Sequence, residues 1–233
     1  MRRPATIRAT VCLLAANTVL GAAVVSPSAV AHRAHRSRCF PHGSQTIAQD
    51  KSARVYSLPE YIEGVRTRQP GVYACVFRGE RTTALTPPRT RSRPLHDLGN
   101  FTLAGTILAY SDYQHGIDAG CTSIDVLDLT TGRIVHEAPQ VGCTVDAGFV
   151  RVGSVTSLVV NESGCLAWIL AVGRNAAESF EVHVEVPILH SDRRLDASAE
   201  ISRNSLRLAP GSEITWLDAG HAMYAMCRGP AHP

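Results

Sequence analysis

A unit that returns four times along the chain constrains its fold more than any single residue. Each copy has a short apolar run, a polar turn, a second run ending in an aromatic, a loop, and a third alternating run. The second runs are Ala53-Arg54-Val55-Tyr56, Ile107-Leu108-Ala109-Tyr110, Leu166-Ala167-Trp168 and Ile214-Thr215-Trp216. The closing aromatics Tyr56, Tyr110, Trp168 and Trp216 lie 54, 58 and 48 residues apart. The third runs, such as Glu181-Val182-His183-Val184-Glu185-Val186, alternate with period two and carry β-branched residues, as strands do. A fourth run follows in the first three copies, after Arg78-Gly79, Thr131-Gly132 and Ser191-Asp192, and the last copy has none.

These units predict an all-β chain of four antiparallel repeats of three to four strands. Repeats of this length, one sheet each, are those of a small β-propeller, open or closed. The expected organisation is a leader at 1–31, an N-terminal tail at 32–43 and one propeller-like domain at 44–229. Its repeats are 44–86, 100–137, 155–198 and 203–229. With a fourth strand missing from the last repeat, Arg36 to Phe40 is a candidate to complete the sheet beside Ala222 to Cys227.

The stretch Ser123-Ile124-Asp125-Val126-Leu127-Asp128-Leu129-Thr130-Thr131-Gly132-Arg133-Ile134-Val135 resembles the outer hairpin of WD-repeat, TolB-type and quinoprotein-type β-propeller blades. The chain is also similar to a group of secreted actinobacterial proteins of unassigned activity. The resemblance implies a ring or open arc of blades whose loops meet a partner.

Residues 1–31 have the layout of a secretory signal. Arg2, Arg3 and Arg8 precede an apolar stretch to Val25, Pro27 breaks it, and Ala29-Val30-Ala31 fits a small-x-small cleavage site. Three of the 23 basic residues lie in that leader and no acidic one does. The remainder carries 20 basic and 20 acidic side chains, so net charge gives no footing for a nucleic-acid partner. The expected product is secreted, without a membrane span once the leader is removed, and works as a single copy.

Of seven cysteines, Cys12 belongs to the leader and six follow it: Cys39, Cys75, Cys121, Cys143, Cys165 and Cys227. An even number in an exported chain, with no C-x-x-C pair, reads as disulfides. A hairpin turning at Thr131-Gly132 brings Cys121 nearly opposite Cys143, within reach of a bridge. For the other four, Cys39 with Cys75 and Cys165 with Cys227 is preferred, and a ring-locking Cys39 with Cys227 stays open.

No nucleophile elbow, zinc-protease helix, Walker loop or dinucleotide fingerprint occurs, and no cofactor is implied. Glu181, His183 and Glu185 share one strand face. They read as a solvated face opposite Val182, Val184 and Val186 rather than a metal site. Asp128, where a strand runs into Thr-Thr-Gly, reads as a turn-closing aspartate. Arg89, Arg91 and Arg93 sit among prolines, an extended row that reads as a solvated linker between blades and could otherwise meet phosphates or acidic cell-wall polymers.

The leading expectation is a non-catalytic binding domain. Its contact surface is the loops between second and third strands: 57–72, 111–122, 171–179 and 218–221. Its partner is a protein or an envelope polymer. The alternative is a secreted, glycan-active hydrolase, for which Asp112, Asp118 and Asp218 in those loops are the first carboxylates to test.

Overall fold

The computed structural model describes residues 38–62, 65–66, 70–86, 96–116, 119–145, 153–173, 178–186, 191–209 and 211–227. Arg89, Arg91, Arg93, Asp118 and the whole leader lie outside this set. The described residues form strands and turns without a helix, and no helix among them is long and apolar enough to cross a membrane.

Four antiparallel sheets follow one another along the chain, each in plain meander order. The first holds β1 (Gln45–Gln49), β2 (Ala53–Leu58), β5 (Gly71–Val76) and β6 (Arg81–Ala84), with a small hairpin of β3 (Tyr61–Ile62) and β4 (Val65–Arg66) between β2 and β5. The second holds β7 (His96–Ala104), β8 (Ile107–His115), β9 (Ala119–Asp128) and β10 (Arg133–Val145). The third holds β11 (Gly153–Val160), β12 (Leu166–Val172), β13 (Ser179–Val186) and β14 (Ser191–Ser198). The fourth has three strands, β15 (Arg207–Ala209), β16 (Glu213–Asp218) and β17 (His221–Met226).

Period-two alternation decides which side chains meet. Val55, Ala74 and Val76 of the first sheet pack with Leu108, Tyr110 and Leu127 of the second. Ala109, Ile124 and Val126 on the second sheet's other face pack with Leu158, Trp168 and Leu170 of the third. Ile169, Val182 and Val184 on the third sheet's other face pack with Leu206, Ile214 and Trp216 of the fourth. The core is therefore three apolar seams between four sheets, and the leading strands touch in succession: β1 with β7, β7 with β11, β11 with β15. All four repeat aromatics are buried. Tyr110, Trp168 and Trp216 each face the preceding sheet.

Among the described residues no sheet packs on the other face of the first. Tyr56 there packs with Cys39 and Cys75, beside Tyr73 and Phe77. Phe40 stacks on Phe77, and the Arg54 guanidinium lies 4.6 Å over the Phe40 ring while donating to the Cys39 carbonyl. Residues 38–40 are thus pinned on the first sheet and do not complete the fourth. Cys39 draws them there, because its partner sits on β5.

Cysteine pairs join Cys39 to Cys75, Cys121 to Cys143 and Cys165 to Cys227, with Cα–Cα separations of 5.3, 4.0 and 6.2 Å. Cys121 and Cys143 are direct register partners across β9 and β10. The third pair ties the third sheet to the fourth, where Asn161 also donates to Ser212 at 3.0 Å. Asp50 makes the matching link between the first two sheets, accepting from the Gly105 amide at 2.8 Å.

Candidate functional site

The site grows from a break in alternation. In β7, Phe101 and Leu103 face the first sheet, as do Leu98 and His96 upstream. Odd and even positions can share a face only if a residue is inserted. The β7–β8 register shifts between Gly99 and Thr102, and Asn100 there has φ 50°. This bulge turns His96 towards Asp112 on β8.

His96 Nδ1 stands 2.8 Å from Asp112 Oδ2 and 3.0 Å from Oδ1. A carboxylate only accepts, so the Nδ1 proton is the donor and Nε2 is left over. Nε2 meets no partner among the described residues. His96 lines an open cleft of about 420 Å³ between the first and second sheets, a size in the range of small-ligand sites. Asp97, Ser57 and Thr86 add polar atoms to its wall, and Ile47, Val72, Leu98 and Phe101 add apolar ones. The cleft opens at the end of the sheets where β2 runs out and β5 begins.

Beneath it lies a second carboxyl. Asp125 on β9 is the register partner of Tyr110, whose hydroxyl donates to it. Burial pushes the Asp125 carboxyl up to about 6, against the pull of that hydrogen bond, with Glu137 and Asp112 raising it further. The same burial raises the Tyr110 hydroxyl, and the Asp125 charge adds to it. Asp112 and Asp125 are diagonal neighbours, about 7–8 Å apart by strand geometry. That spacing suits a pair of hydrolytic carboxyls. Neither lines the cleft, however: Asp112 is held by His96, and Asp125 is covered by Tyr110. Ser57 makes no hydrogen bond to His96, so no nucleophile–histidine pair is assembled.

The other sequence candidates fall elsewhere. Asp112 was expected in a loop at 111–122, yet β8 and β9 continue their ladder to His115↔Gly120, and the connection shrinks to 116–118. Asp218 ends β16 on the fourth sheet, two sheets away from Asp112, bridged to Ile201. The structure brings Asp112 together with His96 and Asp125, and not with Asp218.

Glu181, His183 and Glu185 are buried, which corrects their reading as a solvated face. The third sheet is covered on both sides, and these three point into its seam with the second. His183 stacks on Trp168, with Nε2 3.1 Å from Glu181 and Nδ1 2.7 Å from Asp192. Arg194 donates to Glu181 at 3.0 Å, and His136 from β10 lies 3.2 Å from Glu185. Glu181, His183, Asp192 and Arg194 satisfy one another, and no set of three such side chains among the described residues converges as metal ligands.

His96, Asp97 and His136 escaped the sequence reading. His96 and Asp97 fell between repeats because the bulge at Asn100 hides the start of β7. The visible signal was the alternation of His96 with Leu98 just ahead of Gly99-Asn100.

No family model matches this chain, and no curated protein resembles it at a significant level. The site therefore has to be read from its own chemistry.

Proposed function

We propose that this chain is a secreted, non-catalytic binding domain built as a propeller-like arc of four blades, and that it takes its ligand in the cleft between the first two. The observation that carries the reading is the cleft: about 420 Å³, apolar walls, and His96 Nε2 as its polar anchor, while the Asp97 side chain is taken up by His115 at 2.6 Å. Ser57, Pro70 and Val72 on its wall come from the first of the expected connections, 57–72. Three cysteine pairs suit an oxidising, extracellular-type compartment. The meander order and the sheet-on-sheet succession support the blade arrangement. A protein segment or an envelope polymer with a short polar group flanked by apolar surface fits the lining.

A glycan-hydrolase reading draws on Asp125 beside Asp112, but neither carboxyl lines the cleft: Asp112 is held by His96 and Asp125 by Tyr110.

The test uses residues 32–233, immobilised and exposed to secreted and cell-wall fractions. Ile47→Lys changes an exposed residue of the cleft wall and leaves the core alone. It is expected to abolish retention that the parent chain shows, while deletion of 89–93 leaves it intact. Equal retention by parent and Ile47→Lys would remove the cleft as the contact. Loss only on deletion of 89–93 would move the contact to the arginine row.

A further inference from the structure

The outermost strands of the four sheets differ in one respect. β6 carries Arg81; β10 carries Arg133, Glu137 and Pro139; β14 carries Asp192, Arg193, Arg194 and Asp196. Charges and proline on an edge discourage pairing with another chain. β17 is the outermost strand of the fourth sheet and reads His-Ala-Met-Tyr-Ala-Met, with no such residue. Among the described residues nothing pairs with its free edge. Tyr224 is 74% exposed, Met223 40% and Met226 38%.

The direction of the free groups follows from the turn. β16 and β17 are joined by Ala219-Gly220, with φ 49° and 79°, a two-residue type I′ connection. Its closing pair Asp218↔His221 is hydrogen-bonded, and pairs alternate from there. The Cys227 amide donating to the Ser212 carbonyl at 2.8 Å keeps the same alternation. Ala222, Tyr224 and Met226 therefore direct their N–H and C=O groups away from β16. Their side chains lie on the face turned away from the third sheet, beside exposed Leu217, because their partners Leu217, Thr215 and Glu213 alternate with core-facing Ile214 and Trp216.

We propose that β17 is completed by β17 of a second copy, antiparallel, across a two-fold axis through Tyr224. The outward groups sit at 222, 224 and 226, symmetric about 224. In this register Tyr224 faces the partner's Tyr224, and Ala222 faces the partner's Met226. Each outward N–H meets an outward C=O, and no acidic or basic side chain opposes its own copy. Each fourth sheet gains the antiparallel fourth strand that the other three sheets already have. A six-residue strand spans only about 20 Å, so the contact is at the small end of specific interfaces, and the dimer separates on dilution.

Sedimentation equilibrium on residues 32–233, from low to high micromolar, is expected to show a reversible monomer–dimer system. Tyr224→Lys, at an exposed position, is expected to weaken it at least about tenfold by opposing like charges at the axis. Tyr224→Cys is expected to give a covalent dimer under oxidation, while Ala222→Cys, which faces Met226, does not. Ile47→Lys, on the first sheet, leaves dimerisation unchanged, so this proposal and the cleft fail separately. A monomer at every concentration would overturn the proposal, as would a dimer indifferent to Tyr224→Lys. Amide protection along β17 in strictly monomeric protein would also overturn it, since a segment of the same chain would then cover the edge.

Discussion

Asp125 and Asp128 stand three residues apart on β9 and have opposite chemistry. Asp128 accepts from the Thr130 amide and hydroxyl at 2.8 and 2.6 Å and from the Thr131 hydroxyl at 3.1 Å. Partial burial would raise its carboxyl, but those bonds outweigh it and hold the group below its ordinary value. Asp125 has one such donor, Tyr110, and its burial wins. A carboxyl whose folded value rises from 3.8 to about 6 favours folding when protonated. That contribution is complete below about pH 4 and is lost as pH climbs through about 6. Asp125→Asn keeps an acceptor for Tyr110 and removes the charge. Urea unfolding at pH 8 is expected to show the variant more stable by on the order of 2 kcal/mol after allowance for solvent screening, the gap closing near pH 4. An equal gap at both pH values would contradict the burial argument. The turn role of Asp128 was legible in Thr130-Thr131-Gly132. The state of Asp125 was not, because it depends on a Tyr110 from another strand and on cover from the first sheet.

At the scale of elements, turns and bulges set which faces meet. The hairpin of β9 and β10 shows how. Arg133 pairs with Asp128 and Cys143 with Cys121, so the register moves by three residues along the ladder. Irregularities between Ile134 and His136 and between Ala138 and Gly142 absorb that shift. Sequence arithmetic placed the two cysteines nearly opposite because it assumed a later turn, which offsets the bulges it did not foresee. The bulge at Asn100 had the reverse effect and concealed β7. The third run of each repeat was legible as a strand, but burial of Glu181, His183 and Glu185 was not. Alternation divides two faces without saying that both are covered. Ala219 offers a direct test of turn chemistry. It holds φ 49° ahead of Gly220, a conformation costing a residue with a Cβ about 1 kcal/mol. Asn tolerates it better and makes the preferred Asn-Gly pair. Ala219→Asn is expected to raise stability by about 0.5–1 kcal/mol with the β16–β17 register unchanged. A fall in melting temperature would show that the turn is held by something other than its own backbone preference.

For the whole molecule, the fourfold repeat and the all-β class could be read from the chain, since both rest on patterns within single units. The cleft could not, because it belongs to two units at once. Among the cysteine pairs, Cys165 and Cys227 enclose the longest stretch, with a sequence separation of 62. Loop-closure entropy assigns such a link about 4 kcal/mol. Replacing both residues by serine is expected to lower stability by about that amount, and hydrogen exchange should rise first in β15 to β17. Uniform loss of protection across all four sheets would mean that the fourth is not separately anchored.

All seventeen described strands lie between Cys39 and Cys227. A tug on the segment ahead of the first sheet meets a sulfur bridge to β5 before any ladder is loaded, and a tug after the last sheet meets one to the third. Neither end can be unzipped strand by strand while those links hold, so a protease pulling from either terminus gains no purchase on the sheets.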